Sequence, residues 1–287
     1  GYVSDDGKIR IADHITKLLA GIEFVPVIDD RMYTVCWYGN DHWSQKLSAN
    51  GYAACDKWHQ YIFFDGKSIG CANAAMKARL IRENTYERWS NYGTLYGITR
   101  YSMVCITDAP SEKNNFFPDV FRNHMQTMYF QIATILLAQR SSILKFSAEV
   151  SDISGEIEDF LSTQDEKKFK SIDDKVKTLH SSFIRFVNRL WFTEVTPQEQ
   201  GIEMYNMAQK NMGLKEQLDE VRQEIKELYE FVEMQYEKIN AEEDREINKT
   251  LSRLTWLAVI FLPLTLAAGL LGTNLFSPND IKQITKI

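Results

Sequence analysis

Residues 254–271 read LTWLAVIFLPLTLAAGLL, eighteen positions without a charged side chain, in a chain elsewhere rich in Glu, Lys and Asp. Carried on through Gly272-Thr273-Asn274-Leu275-Phe276, the stretch is about 34 Å long at a helical rise of ~1.5 Å per residue, enough to cross a hydrocarbon core of ~30 Å. A signal peptide would lie at the opposite end of the chain. A core helix of a water-soluble protein rarely runs so far without a charge. The stretch is therefore expected to span a lipid bilayer, and everything N-terminal to it has to be read as what that span serves.

Arg245, Lys249 and Arg253 stand just before the apolar run, whereas Lys282 and Lys286 follow only after the polar break Ser277-Pro278-Asn279-Asp280. Basic residues accumulate on the cytoplasmic side of a span, so the bulk of the chain is expected in the cytoplasm, anchored in the inner (plasma) membrane. Cys36, Cys55, Cys71 and Cys105 form no C-x-x-C pair, which suits a reducing compartment better than a disulfide scaffold.

With 287 residues, 44% of them hydrophobic, the part ahead of the span is long enough for one or two packed domains. The net charge of −6 leaves no basic footprint of the kind that tracks a phosphate backbone, so direct nucleic-acid binding is not expected. The chain opens at Gly1 without a Met, and trimming at one or both ends is expected.

Short runs rich in β-branched and aromatic residues, EFVPVI (23–28), RMYTVCWY (31–38), HQYIFF (59–64) and YSMVCIT (101–107), alternate with turn-rich segments such as Gly39-Asn40-Asp41 and Asp65-Gly66-Lys67. These runs read as strands. Residues 11–19 and 72–86 read as helices, so residues 1–115 are expected to form a mixed α/β domain. Residues 116–196 read as a helical segment: 120–150 is apolar on most faces, and 165–193 is a second helix with an amphipathic half at Phe183, Ile184, Val187, Leu190 and Trp191.

No proline separates Pro197 from Pro263, and only Gly201 and Gly213 interrupt good helix formers before the span. One helix from Pro197 to Asn274 would be about 117 Å long at ~1.5 Å per residue. Leu214, Leu218, Val221, Ile225, Leu228, Val232 and Ile239 recur with the 4-3 spacing of a coiled-coil seam, Gln235 being the polar member. That spacing suits a partner copy or a partner helix within the same chain equally well. The expected organisation is thus α+β/α: a cytoplasmic α/β domain (1–115), a helical layer (116–196), a very long stalk helix (197–253), a transmembrane pore helix (254–276) and a loop beyond it (277–287).

The same 4-3 spacing marks Leu251, Thr255, Ala258, Leu262, Thr265, Gly269 and Gly272 as a small, partly polar stripe. Trp256, Val259, Ile260, Leu264, Leu266, Ala267 and Leu271 lie opposite and suit lipid. A small, hydroxyl-bearing stripe serves a close helix contact, or lines a narrow water path in a ring of identical helices. Pro263 is tolerable in a membrane helix where neighbours satisfy the carbonyl it frees.

Phe261-Leu262-Pro263-Leu264-Thr265, followed by Gly272-Thr273-Asn274, resembles the first transmembrane helix of the CorA family of divalent-cation channels, which carries a Phe-x-Pro-Leu-Thr core and ends in Gly-Met-Asn. The resemblance implies a homopentamer with a cytoplasmic α/β funnel, a stalk entering the membrane as the pore-lining helix, and a second, outer span expected beyond Ile287. It implies that Gly272, Thr273 and Asn274 ring the outer mouth, where Asn274 holds a hydrated ion by its water shell. Leu251 and Leu262 would be apolar constrictions and Thr265 a polar ring beyond them. Thr273 stands where the family has Met, so Mg2+ or another divalent cation is expected as permeant or regulatory ion, without a fixed selectivity. No covalent cofactor and no firm metal ligand set is implied.

Other chemistry is sparse. Cys36, His42, Cys55 and His59 share no spacing with a compact zinc finger. No Gly-rich phosphate loop, G-x-S-x-G or H-E-x-x-H occurs, so an enzyme is not expected. The aromatic segment 86–101, YERWSNYGTLYGITRY, offers Arg88, Trp89, Tyr92, Tyr96 and Arg100 as a candidate ligand-binding set, against the plainer reading of two aromatic strands packed on a helical layer. The set matters because some CorA-like bacterial proteins resemble effectors of type III CRISPR defence, opened by a nucleotide messenger joining S-adenosylmethionine to AMP. The expected activities are therefore a cation channel gated by its cytoplasmic domain, a nucleotide-opened defence effector, or a non-conducting oligomeric membrane scaffold.

Overall fold

The computed structural model describes residues 2–3, 9–10, 13–22, 32–68, 70–111 and 116–272. The described residues up to Leu228 form one compact unit, and those from Tyr229 onward form a second.

The first unit is built around a small mixed sheet. β1 (Tyr2–Val3) and β2 (Ile9–Arg10) pair with each other only, ahead of the short helix α1 (Asp13–Leu18). The main sheet has the order β3-β6-β5-β4, from β3 (Thr34–Gly39), β4 (Thr85–Tyr86), β5 (Leu95–Ile98) and β6 (Ser102–Thr107). β3 runs parallel to β6, with Cys36 opposite Val104, while β5 is antiparallel to both of its neighbours. Every residue of β5 and β6 is buried, as continuous apolar runs covered on two faces require.

Between β3 and β4 the chain makes α2 (Asp41–Asn50), α3 (Asp56–Phe63) and α4 (Ala74–Glu83). Asn40 and Asn73 start α2 and α4 by accepting from the amides of Trp43 and Met76, the usual service of a side-chain cap to an orphan N–H. Leu47, Trp58, Ile62 and Ile81 from these helices pack with Leu95, Val104 and Ile106 of the sheet into one buried cluster. The run HQYIFF, expected as a strand, instead supplies the last residues of α3 up to Phe63, with Phe64 as its C-cap. Its β-type composition is overridden because Trp58 and Ile62, four residues apart, meet the sheet on one helical face. RMYTVCWY and YSMVCIT do supply β3 and β6, residues 74–83 are helical as read, and 23–28 lies outside the described residues.

Tyr96, whose neighbours in β5 face the first cluster, points the other way. Its ring meets Phe121 at 6.4 Å and Tyr129 at 5.6 Å, both edge-on. These rings belong to α5 (Phe116–Gln126) and α6 (Met128–Thr163). The single helix read from 120 to 150 is thus two, separated at Thr127. α6 then turns back through Gln164, in the left-handed region at φ 51, into α7 (Glu166–Leu190), capped by Asp165 on the Lys167 amide. Phe146, Ile153 and Phe160 of α6 interleave with Phe169, Val176 and Phe183 of α7, all buried.

The helix expected from Pro197 is broken at Gly213. α8 (Glu199–Met212) ends there and α9 (Leu214–Gly272) begins. Gly213 takes φ 67, a conformation glycine adopts without the clash a Cβ would bring, so the chain is punctuated where the composition reads as continuous. Tyr205 of α8 centres a buried polar knot: its hydroxyl accepts from Gln139 and Gln209, each at 2.8 Å, and donates to the Phe192 carbonyl at 3.0 Å. At the start of α9 the 4-3 seam Leu214, Leu218, Val221, Ile225 and Leu228 is buried. Up to Leu228 it therefore packs within its own chain, one of the two partners its spacing allows.

Candidate functional site

α9 changes character along its length. From Ala241 to Gly269 every residue is exposed. The apolar window in this helix has a mean hydropathy of 1.7 and none of it is buried. Leu257, Val259, Ile260, Phe261, Leu262 and Leu264 each leave half or more of their surface open. At about 1.5–3 kcal/mol per large apolar side chain left in water, such a segment requires lipid or further helices around it. By length and composition it is able to cross a membrane.

The proposed lining stripe is consistent with that environment. Leu251, Thr255, Ala258, Leu262, Thr265 and Gly269 are all exposed, so none is used in packing within the chain. Thr255 donates to the Leu251 carbonyl at 2.8 Å, and Thr265 to the Phe261 and Leu262 carbonyls at 3.0 Å. These bonds satisfy each hydroxyl inside its own helix, so neither threonine carries an unmet donor into hydrocarbon. Pro263 lies within α9 without ending it. Gly272 is the last residue of the helix, and Thr273 and Asn274 lie outside the described residues.

The five aromatic and basic candidates of residues 86–101 do not converge. Arg88 binds Glu203 of α8 through Nη1–Oε1 at 2.8 Å, and the Tyr86 hydroxyl donates to the other oxygen of the same carboxylate. The Tyr86 hydrogen bond, aided by Arg88, holds the Glu203 carboxyl below its ordinary range, while burial and the carboxylate push the Tyr86 hydroxyl up. Trp89 and Tyr96 pack on Phe121 at 6.3 and 6.4 Å. Tyr96 is fully buried, so no ligand reaches it. Tyr92 and Arg100 line two different cavities.

Tyr92 borders a cavity of about 670 Å³ at the end of the sheet where β6 stops and β5 begins, walled by α2, the turn 90–93 and α5. Arg100 borders another of about 540 Å³, with His59, Asp65, Cys71 and Tyr101. There His59 Nδ1 lies 3.2 Å from Asp65 Oδ2. A third groove, between α6 and α7, is lined by carboxylates and lysines, with Lys175 bound to Glu156 at 2.5 Å.

The zinc-like set is dispersed. Cys36 lies beside the Tyr61 hydroxyl, Cys55 precedes α3, exposed His42 contacts Trp43, and His59 faces Asp65. Among the described residues no group of three or more His, Cys, Asp or Glu is arranged to hold a metal ion. Burial pushes the Cys105 thiol well up, which leaves it a core residue rather than a nucleophile.

Residues 119–285, more than half of the chain, match the family model described as CorA-like Mg2+ transporter protein. The chain belongs to this CorA-like family. The match runs from α5 through the exposed apolar helix, so the segment whose surface is unmet in water is also a segment the family shares. The family is one of membrane-associated divalent-cation transporters rather than of enzymes. No curated protein and no solved structure matches it.

The sheet and the helices α1 to α4 of the CorA-like protein lie ahead of the match. The polar residues that close the first cavity, notably Thr94 and Asp108, were not foreseen from the sequence. Nothing in the spacing of Asp108-Ala109-Pro110 says that it meets residues 90–94.

Proposed function

We propose that the chain is one subunit of a homopentameric cation channel in which α9 lines the pore and the N-terminal unit sets its opening. The observation that carries this reading is the wholly exposed apolar stretch of α9 inside the region matched to the CorA-like family. Five copies around an axis would turn Leu251 and Leu262 inward as apolar constrictions and Thr265 as a polar ring, while Trp256, Ile260 and Leu264 meet lipid or an outer span. Gly272, Thr273 and Asn274 would form the outer mouth, with the carboxamide of Asn274 holding the ion through its water shell. The cargo is a divalent cation, Mg2+ by the family's description. No lining residue between Thr255 and Gly269 is charged, which suits the cost of ionisable groups in hydrocarbon. The bulk of the chain lies on the cytoplasmic side of the inner membrane in this reading.

Reconstitution into liposomes with a Mg2+-sensitive dye tests it. Wild type should pass Mg2+, and Asn274→Ala and Gly272→Ala should change rate or selectivity. A protein that inserts but passes no divalent cation would be a scaffold instead.

A second reading, a defence effector opened by a nucleotide messenger, is favoured by one observation: exposed Arg100 and buried His59 share a cavity wall in the part of the chain ahead of the family match. Of the five candidates from residues 86–101 only Arg100 lines that cavity, so Arg88, Trp89, Tyr92 and Tyr96 have no direct contact in this reading. Calorimetry with a conjugate of S-adenosylmethionine and AMP distinguishes the readings, since a simple transporter releases no binding heat and an effector does.

A further inference from the structure

The cavity of about 670 Å³ at the sheet end is of the size that encloses a small organic molecule rather than a bare ion. Its wall is made of neutral hydrogen-bonding side chains, with Gln45 and Ser48 on α2 and Asn91 on the turn. Tyr92 and Phe121 add aromatic surface, and Asp108 supplies the one carboxylate. Among the described residues no Lys, Arg or His lines it. A phosphate or carboxylate ligand would therefore meet a negative group and no cation.

Two of its polar atoms are buried without a partner. Thr94 is 1% exposed and its Oγ1 makes no hydrogen bond; Asp108 is half-buried, and its covered Oδ1 makes none either. The strand register explains why they meet. Leu95 pairs with Ile106, so Gly93 and Thr94 stand beside Asp108 and Thr107 where the ladder ends. A Cβ at Gly93 would lie 3.2 Å from Asp108 Oδ1 and 2.2 Å from Ser44 Oγ. Only glycine leaves the carboxylate room at this corner, and Ser44 secures it by donating to the Gly93 carbonyl at 2.7 Å. The neighbouring Thr107 hydroxyl is already engaged, accepting from Trp37 and donating to the Asp108 carbonyl. A buried carboxylate oxygen with no donor is costly unless something else supplies one.

We propose that this cavity is a binding site for a small organic cation that carries an ammonium group beside hydroxyls, an amino polyol. The ammonium pairs with the half-buried Asp108 carboxylate, the hydroxyls meet Gln45, Ser48 and Asn91, and the rings of Tyr92 and Phe121 lie beside the charge, as aromatic rings do around ammonium ligands. The site lies wholly within the first unit and does not depend on the pore reading.

Calorimetry and thermal melting of the full chain in detergent, with glucosamine, ethanolamine and glucose as probes, test it. At least one amine should bind and raise the melting temperature, glucosamine more tightly than glucose by roughly tenfold or more, as a hydrogen bond to a charged group contributes. Asp108→Asn should abolish that preference. Ser48→Leu, on the exposed wall and independent of the buried corner, should block the probes while leaving the melt cooperative, so a folding failure of the first variant does not remove the test. Absence of binding by both amines, equal binding of glucose and glucosamine, or binding of Mg2+ alone with Asp108-dependent heat would overturn the proposal.

Discussion

A methyl group added at Gly97 would sit 2.2 Å from Cγ2 of Ile62 and 2.9 Å from Cγ2 of Val104. Both neighbours are fully buried, so neither can move aside without displacing the cluster around Trp58. Gly97→Ala is therefore expected to destabilise the first unit by about 1–3 kcal/mol, the usual range for overpacking, read as a lower urea midpoint with an unchanged slope. Gly155, where an added Cβ would meet nothing within 4 Å, is the control: Gly155→Ala should leave the midpoint unchanged or raise it. Nothing in the text around Leu95-Tyr96-Gly97-Ile98 distinguishes these two glycines. Which of them faces a packed side chain is decided by α3 crossing the sheet.

At the scale of elements, β4 is tied to α8 by one exposed carboxylate shared between Tyr86 and Arg88. Because the folded Glu203 carboxyl titrates below its ordinary 4.5, its contribution is present above that pH and is lost as pH falls through the lowered folded value. An NMR titration of the Glu203 carboxyl should give a midpoint below 4.5, and one at or above it would mean that the contact is absent. The stabilisation itself is small, since solvent screens an exposed pair. Element types were legible in the sequence where one physical signal dominated: the periodic helices α6, α7 and α9, and the continuous apolar run of β6. HQYIFF was misread because aromatic and β-branched composition points to a strand while the Trp58/Ile62 spacing points to a helix, and only burial against the sheet decides between them. The stop at Gly213 was equally invisible, since glycine inside good helix formers reads as a tolerated interruption until its φ of 67 is known.

For the whole molecule, the exposed apolar helix dominates behaviour. Full chain is expected in the membrane fraction and resistant to alkaline extraction. Ile260→Lys with Leu264→Lys, at roughly 2.5–3.5 kcal/mol per lysine near the middle of a span, should shift it to the soluble or aggregated fraction. Recovery of wild type as a soluble monomer would sink the membrane reading. The candidate pore stripe rests on spacing along a single helix, whose faces follow from period alone. The candidate ligand set was not: Arg88, Trp89, Tyr92, Tyr96 and Arg100 are close in sequence, yet the turn at residues 90–93 and the alternation of β5 send them to an ion pair, two packed rings and two separate cavities.

The sequence by itself determined that helices lead into an apolar helical segment able to cross a membrane, because unbroken hydrophobicity and helical period are local properties that need no neighbour to express. Only the tertiary structure decided that the seam up to Leu228 is buried within its own chain, and that Thr94 and Asp108 close a cavity together. Both depend on which surfaces meet, and a strand register or a helix crossing is set by packing across distant segments rather than by the residues beside them.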